Sequence, residues 1–316
     1  LNTFLHFSFI NDVAGPAGIA VIHSAFNVIA TAVLLPFGDV LVKMACATIR
    51  DTKEEKAISE EDQEFMILES RFLSNPGIAI EQSKTAAKKM AEQSQNALKL
   101  SFGLLDTFQE ENAFRVEKIE AKVDRYEDEL GTYLIKLNQK ELSVEDSHSL
   151  SIMLHCIGDF ERISDHALRI MKSAKEMWEK NAVFSPQAVK ELHVMEKAVV
   201  DIVDKAYAVF ANQDIQLAEE IEPLEEVIDE LSRELKRRHV NRLRAGECTI
   251  EMGFILSDVT TSLERIADHC SNIGVCVTQV REDLYDTHSH LDSVKNAPGE
   301  LFHHELEVAR VNYMLP

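Results

Sequence analysis

The fold of this chain is decided by two stretches: Asp159 to His166, reading Asp-Phe-Glu-Arg-Ile-Ser-Asp-His, and Ser262 to His269, reading Ser-Leu-Glu-Arg-Ile-Ala-Asp-His. One acidic signature written twice, about a hundred residues apart, marks an internal repeat, and a repeat fixes the unit of folding. Each copy has an upstream companion with the same Glu-x-x-x-Asp spacing, Glu120 with Asp124 and Glu225 with Asp229. The downstream pairs are Glu161 with Asp165 and Glu264 with Asp268. The chain therefore carries four carboxylate pairs in a duplicated unit.

Around these pairs the apolar spacing is helical. From Ile255 the apolar residues Val259, Leu263, Ile266, Cys270, Ile273, Val277, Val280 and Leu284 follow at steps of three and four, and Leu217, Ile221, Leu224, Ile228, Leu231 and Leu235 do the same. Helices are predicted over Ile78 to Phe108, Asn112 to Gln139, Ser143 to Glu179, Ser185 to Asn212, Asp214 to Ala245 and Ile250 to Asp286. Start and stop signals frame them. Asn75-Pro76-Gly77 breaks the chain before the first, Ser185 is a good N-cap ahead of Pro186, and Ala245-Gly246 closes the fifth. No stretch alternates as a strand does. Aligning the halves sets Met90 against Met195, Glu120 against Glu225 and Glu161 against Glu264. The expected fold is all-α, two tandem three-helix bundles, with repeat one over 77–180 and repeat two over 185–285. The tail, 286–316, holds one more amphipathic piece from Leu301 to Met314.

The N-terminal region reads differently. Ile19 to Phe37 has no formal charge and is about the length that spans a bilayer core. Lys43, Arg50, Lys53 and Lys56 follow it and no Lys or Arg precedes it, which puts its C-terminal end in the cytoplasm. A buried core helix is the alternative. His23, Asn27 and Thr31 form one polar row, so a membrane helix here should face other helices or a polar cavity. Residues 1–48 are thus expected to end a membrane domain with a transmembrane helix, and 49–76 to be a charged linker. The first residue is Leu rather than Met, which is expected of a fragment or processed piece.

Composition narrows the function classes. The formal net charge is -21, with 54 Asp and Glu. A chain so acidic, without a basic stripe, is repelled by phosphate backbones, so nucleic acid is excluded as a partner. Five cysteines without Cys-x-x-Cys spacing indicate neither a disulfide framework nor a zinc site, and a reducing compartment suits them.

A single Glu-x-x-x-Asp is ordinarily a solvated helix face. Four at matching places are different, because two antiparallel helices per repeat can gather four carboxylates, and such a cluster must bind cations, raise its pKa values or destabilise the bundle. Glu120, Asp124, Glu161 and Asp165 in one repeat, and Glu225, Asp229, Glu264 and Asp268 in the other, are the expected metal ligands. Glu117 and Glu222, one turn upstream, can add a fifth oxygen to each. Oxygen-only ligation suits magnesium, calcium, manganese or iron, with zinc a less natural occupant. His166 and His269 point about 100° away from the preceding Asp and are either metal ligands, or partners that hold a ligand in place, or interhelical hydrogen-bonding residues. Arg162 and Arg265 are expected in ion pairs. A di-iron oxidase would require Glu-x-x-His, but Ser164 and Ala267 stand there, and no Gly-x-Ser-x-Gly, Walker loop or His-Glu-x-x-His occurs. The chain is therefore expected not to be an enzyme.

At Glu161 to His166 and Glu264 to His269, Glu-Arg-Ile-x-Asp-His, together with the upstream pairs Glu120/Asp124 and Glu225/Asp229, the chain resembles the PhoU family over roughly residues 77 to 285. That resemblance implies two repeated three-helix bundles whose acidic motifs bind metal clusters in some members. Asn272-Ile273 continues the motif in the second copy, whereas the first has Arg169 in place of Asn272. His23 to Ile29 with Leu34-Leu35-Pro36-Phe37 is similar to the last membrane helix of bacterial type II sodium-phosphate cotransporters, many of which carry a PhoU-like domain behind the membrane part. The combined resemblance implies the C-terminal part of a sodium-dependent phosphate transporter in the plasma membrane. Its cytoplasmic domain would regulate uptake, and its partners would be the upstream transporter helices, sodium, inorganic phosphate and a second copy of the chain in a homodimer. The alternative is a PhoU-like adaptor acting on a separate phosphate transporter or sensor kinase.

Overall fold

The computed structural model describes residues 15–34, 37, 64–281 and 300–316. Two compact units separate at Asp62, Leu1–Asp62 and Gln63–Pro316. In the first, helix α1 runs Pro16–Leu34, 19 residues. It closes two residues before Pro36, which lacks the N–H needed to extend it. Among the described residues no helix is long and apolar enough to cross a membrane. The expectation of a transmembrane helix over Ile19 to Phe37 is corrected accordingly. Of the charged linker expected over 49–76, residues 49–63 fall outside the described residues.

The second unit is all-α, with no strand among its described residues. Its helices are α2 (Pro76–Asp106), α3 (Glu110–Leu137), α4 (Val144–Glu179), α5 (Pro186–Asn212), the single turn α6 (Ile215–Ala218), α7 (Ile221–Arg244), α8 (Ile250–Arg281) and α9 (Glu300–Asn312). The caps are those the sequence offers. Ser143 Oγ accepts from Asp146 N, and Ser185 Oγ accepts from Ala188 N with Pro186 behind it. Gly246 takes φ 74° where α7 ends, a conformation that costs glycine nothing.

One expected helix is broken. The stretch Asp214 to Ala245 divides into α6 and α7 at Glu219 and Glu220. Pro223 explains the break: in a continuous helix its missing N–H would leave the Glu219 carbonyl unbonded and its ring would press on it. In the first turn of a new helix the missing N–H costs nothing.

Helices α2, α3 and α4 form the first bundle and α5, α7 and α8 the second, as the repeat required. Met90 and Met195, matched by alignment, are both fully buried. Between the bundles α4 packs along α8, and α2 against α5. A smaller cluster of Leu104, Ala113, Val116, Met171 and Ala174 lies within the first bundle, and one large apolar core runs through both, with Tyr126, Phe160, Leu130 and Ile163 fully enclosed. Each such side chain contributes roughly 1.5–3 kcal/mol through removal from water.

Two flanking pieces join this unit. Phe65, ahead of α2, is buried with its ring 4.6 Å from that of Tyr126, and Arg125 caps its other face at 4.2 Å. The tail helix α9 lies on α7, where Leu306, Ala309 and Tyr313 are buried. Arg310 forks onto Glu230, and Tyr313 Oη donates to Asp201 at 2.6 Å.

Candidate metal centre

In the second repeat, Glu225 and Asp229 stand four residues apart on α7 and so share one face. Helix α8 presents Asp268 to that face. One carboxylate oxygen from each of Glu225, Asp229 and Asp268 lies within 4.8 Å of the others. Glu225 is buried, and the other two are half-buried. Burial, reinforced by the charges of Glu264 and Asp268, pushes the Asp229 carboxyl above its ordinary range. Asp229 Oδ1 is enclosed without a hydrogen-bond partner.

Glu264, the fourth expected ligand, does not close on this trio. Its Oε2 accepts from Ser232 Oγ at 2.9 Å and from Lys236 Nζ at 3.3 Å. Ser232 and Lys236 continue the stripe of Glu225 and Asp229 along α7, at steps of three and four, so a cation of the protein's own stands beside the acidic group. Arg265 meets Asp268 Oδ2 at 2.9 Å, an ion pair within one turn of α8, as expected. Glu222 accepts from Ser271 Oγ across the same helix pair. Its carboxylate is thereby turned to structural use.

The first repeat has the same plan with looser geometry. No three of Glu120, Asp124, Glu161 and Asp165 bring oxygens within that spacing. The four still feel one another. Burial raises the Glu120 carboxyl, and the charges of Asp165 and Asp124 raise it further. Glu161 is raised by burial and then by Asp165, with Arg162 opposing. Arg162 lies 3.4 Å from Glu161 and 4.0 Å from Asp165. Counting from the aligned glutamates, Ser232 and Lys236 correspond to Glu127 and Gly131, so the matching positions of α3 offer Glu161 no hydroxyl and no ammonium. Glu117 is exposed, unlike its buried counterpart Glu222.

The donor set is all oxygen, and its carboxylates repel one another in a partly dry setting. A divalent hard cation relieves that repulsion, and Glu225, Asp229 and Asp268 would hold it. Zinc, which prefers nitrogen and sulfur, suits the set less.

The motif histidines lie off the carboxylate cluster. His269 Nδ1 is 2.9 Å from Asp159 Oδ1 of the other repeat, and Asn272 Nδ2 donates to the same oxygen at 3.3 Å. His166 is buried, its ring centroid 5.8 Å from that of His269. Burial and the surrounding arginines lower its pKa to about 4, so this ring is neutral. Of the two expected roles, interhelical hydrogen bonding is the one the geometry gives His269. Sequence reading did not single out Asp159, Ser232 or Lys236. The signal for the last two was their place on the Glu225 stripe; for Asp159, none existed before the repeats were packed.

The PhoU domain model matches this chain over residues 87–174 and 192–277. A phosphate-specific transport system accessory protein, PhoU homolog 1 of Thermotoga maritima, is 30% identical over 115 residues, 36% of this chain and 49% of that protein. The chain thus spans about half the length of that relative. The corresponding accessory protein of Deinococcus radiodurans is 22% identical over 160 residues, 50% of this chain and 74% of its own. Among solved structures, PhoU from Pseudomonas aeruginosa superposes with a TM-score of 0.55 at 21% identity, covering 67% of this chain and 98% of that one. The phosphate transport system regulatory protein PhoU from Streptococcus pneumoniae gives 0.60 at 17%, covering 67% and 100%. At such identities the likeness speaks for the fold.

Proposed function

The chain belongs to the PhoU domain family, and from that premise we propose that its helical unit is a regulatory adaptor of phosphate uptake, working without catalysis of its own. The observation that carries this reading is the family match over both repeats, joined to relatives named as accessory proteins of phosphate transport. The adaptor acts at the cytoplasmic face of the plasma membrane on a separate phosphate transporter or its sensor kinase. A divalent cation at Glu225, Asp229 and Asp268, and a second among Glu120, Asp124, Glu161 and Asp165, pins the helices of each bundle. Metal occupancy can bias the adaptor's contact with its partner only by binding two of its states unequally. The test is uptake of labelled inorganic phosphate by cells lacking this chain, with and without the chain supplied in trans. A change in uptake on deletion, reversed by the supplied chain, is expected. Identical uptake in all three cultures would end this reading.

One observation favours a second reading, the C-terminal part of a sodium-dependent phosphate transporter. Helix α1 exposes Ile22, Phe26, Ile29 and Val33 along one side, at 60%, 68%, 62% and 56%, an apolar surface that water disfavours and other membrane helices would cover. Against it, a spanning helix is not found among the described residues. Sodium dependence separates the two: uptake that follows this chain and requires sodium belongs to the transporter, and uptake modulated at any cation composition belongs to the adaptor.

A further inference from the structure

Where α4 and α8 pack between the repeats they leave an open cleft of about 710 Å³. Arg162, Arg169 and Lys172 of α4 and Arg265 of α8 line it, with His166 and His269 between them. The carboxylates on its walls are Asp165, Glu176 and Asp258. In a chain of net charge -21, a cleft with four cations against three carboxylates is a local reversal of sign.

The cations are not all used by the fold. Arg162 is engaged by Glu161 and Asp165, and Arg265 by Asp268. Arg169 and Lys172 make no hydrogen bond or close ion pair among the described residues, although the charge of Lys172 acts at longer range on Glu120. His166 borders the cleft, with only 8% of it exposed and its Nδ1 enclosed without a hydrogen-bond partner. The repeats also diverge at this place. Arg169 stands where the second copy has Asn272, and Asn272 turns to Asp159.

We propose that the inter-repeat cleft binds a small phosphate-bearing anion, held chiefly by Arg169 and Lys172. A guanidinium offers two parallel donors to two phosphate oxygens, and an ammonium adds a point charge. The anion must be small. Beyond roughly 8 Å, the Debye length at physiological ionic strength, the cleft's cations are screened, and an acidic polymer would meet the carboxylates of the surrounding surface. The volume falls within the range of about 300–1,000 Å³ typical of small-molecule sites, which admits free phosphate or a nucleotide. The proposal does not require metal at the carboxylate clusters, although Asp165 belongs to both places and a cation there would leave the cleft more positive.

Equilibrium dialysis of the full chain against labelled inorganic phosphate and, separately, labelled ADP tests it. The wild type is compared with Arg169→Gln/Lys172→Gln and with a control, Lys140→Gln, at an exposed turn outside the cleft. Arg169 and Lys172 are themselves exposed, so the double variant keeps its fold, which far-UV circular dichroism verifies. Saturable binding is expected, weaker by at least about ten-fold in the double variant, as befits the loss of two charge-assisted contacts, and unchanged in the control. Phosphate bound as well as ADP identifies the free ion as ligand. ADP bound tighter identifies a phosphorylated small molecule. No saturable binding of either probe, or equal binding by the double variant and the wild type, overturns the proposal.

Discussion

Asp159 and His269 join the two repeats: the imidazole Nδ1 of one lies 2.9 Å from the carboxylate of the other, and both side chains are largely enclosed. A residue of the second acidic motif is thus held by the residue that opens the first. Replacing Asp159 by Ala removes the acceptor for His269 and Asn272 together. A hydrogen bond to a charged group contributes about 1.5–3 kcal/mol, so Asp159→Ala should destabilise the helical unit by about that amount in urea unfolding. Loss of less than about 0.5 kcal/mol would show the contact to be incidental.

Lys236 competes with any cation for Glu264. Lys236→Met should therefore tighten Mn²⁺ binding several-fold, by releasing Glu264 to join Glu225, Asp229 and Asp268. Isothermal titration of both proteins decides the matter. Equal or weaker affinity in the variant would mean that Glu264 is no ligand.

Asp229 is charged at a cost in the folded state, since burial and its neighbours raise its carboxyl. In chelator-treated protein, Asp229→Asn should raise stability, read as a higher Tm, because the amide carries no charge for its neighbours to oppose. With Mn²⁺ added the order should reverse, because the variant has lost a ligand. A variant less stable than wild type in chelator contradicts the electrostatic account.

Glu196 is buried on α5 and its carboxyl is pushed up to about 7, by desolvation first, with His193 opposing. The Asp106 hydrogen bond raises His193 in turn. Both groups bind protons more readily folded than unfolded, so their contributions are complete below the unfolded values and are lost as pH rises through the folded ones. For Glu196 the fall in stability should lie between about pH 4.5 and 7, each tenfold gain in proton affinity on folding being worth about 1.4 kcal/mol. Glu196→Gln should flatten that fall, as followed by Tm across pH. A slope unchanged by the substitution would place its origin elsewhere.

Much of the fold was legible because helical signals are local. The steps of three and four from Ile255 to Val277 gave α8, Ser185 with Pro186 gave the start of α5, and the doubled Glu-Arg-Ile-x-Asp-His gave the two bundles. Pro223 was equally visible in the sequence, yet the long apolar period across it obscured the break between α6 and α7. The eight acidic residues were legible as a set. Which of them converge was not, since the meeting of Glu225 and Asp229 with Asp268 depends on the rotation of α7 against α8.

The sequence by itself determined the helices, their duplication and the faces on which the carboxylates lie, because all three follow from the 3.6-residue period and short-range chain chemistry. Only the tertiary structure decided that Lys236 takes Glu264, that Asp159 holds His269, and that Arg162, Arg169, Lys172 and Arg265 gather about one cleft. Those are relations between helices separated in the chain, set by how apolar side chains interlock along α4 and α8, and no local periodicity encodes that geometry.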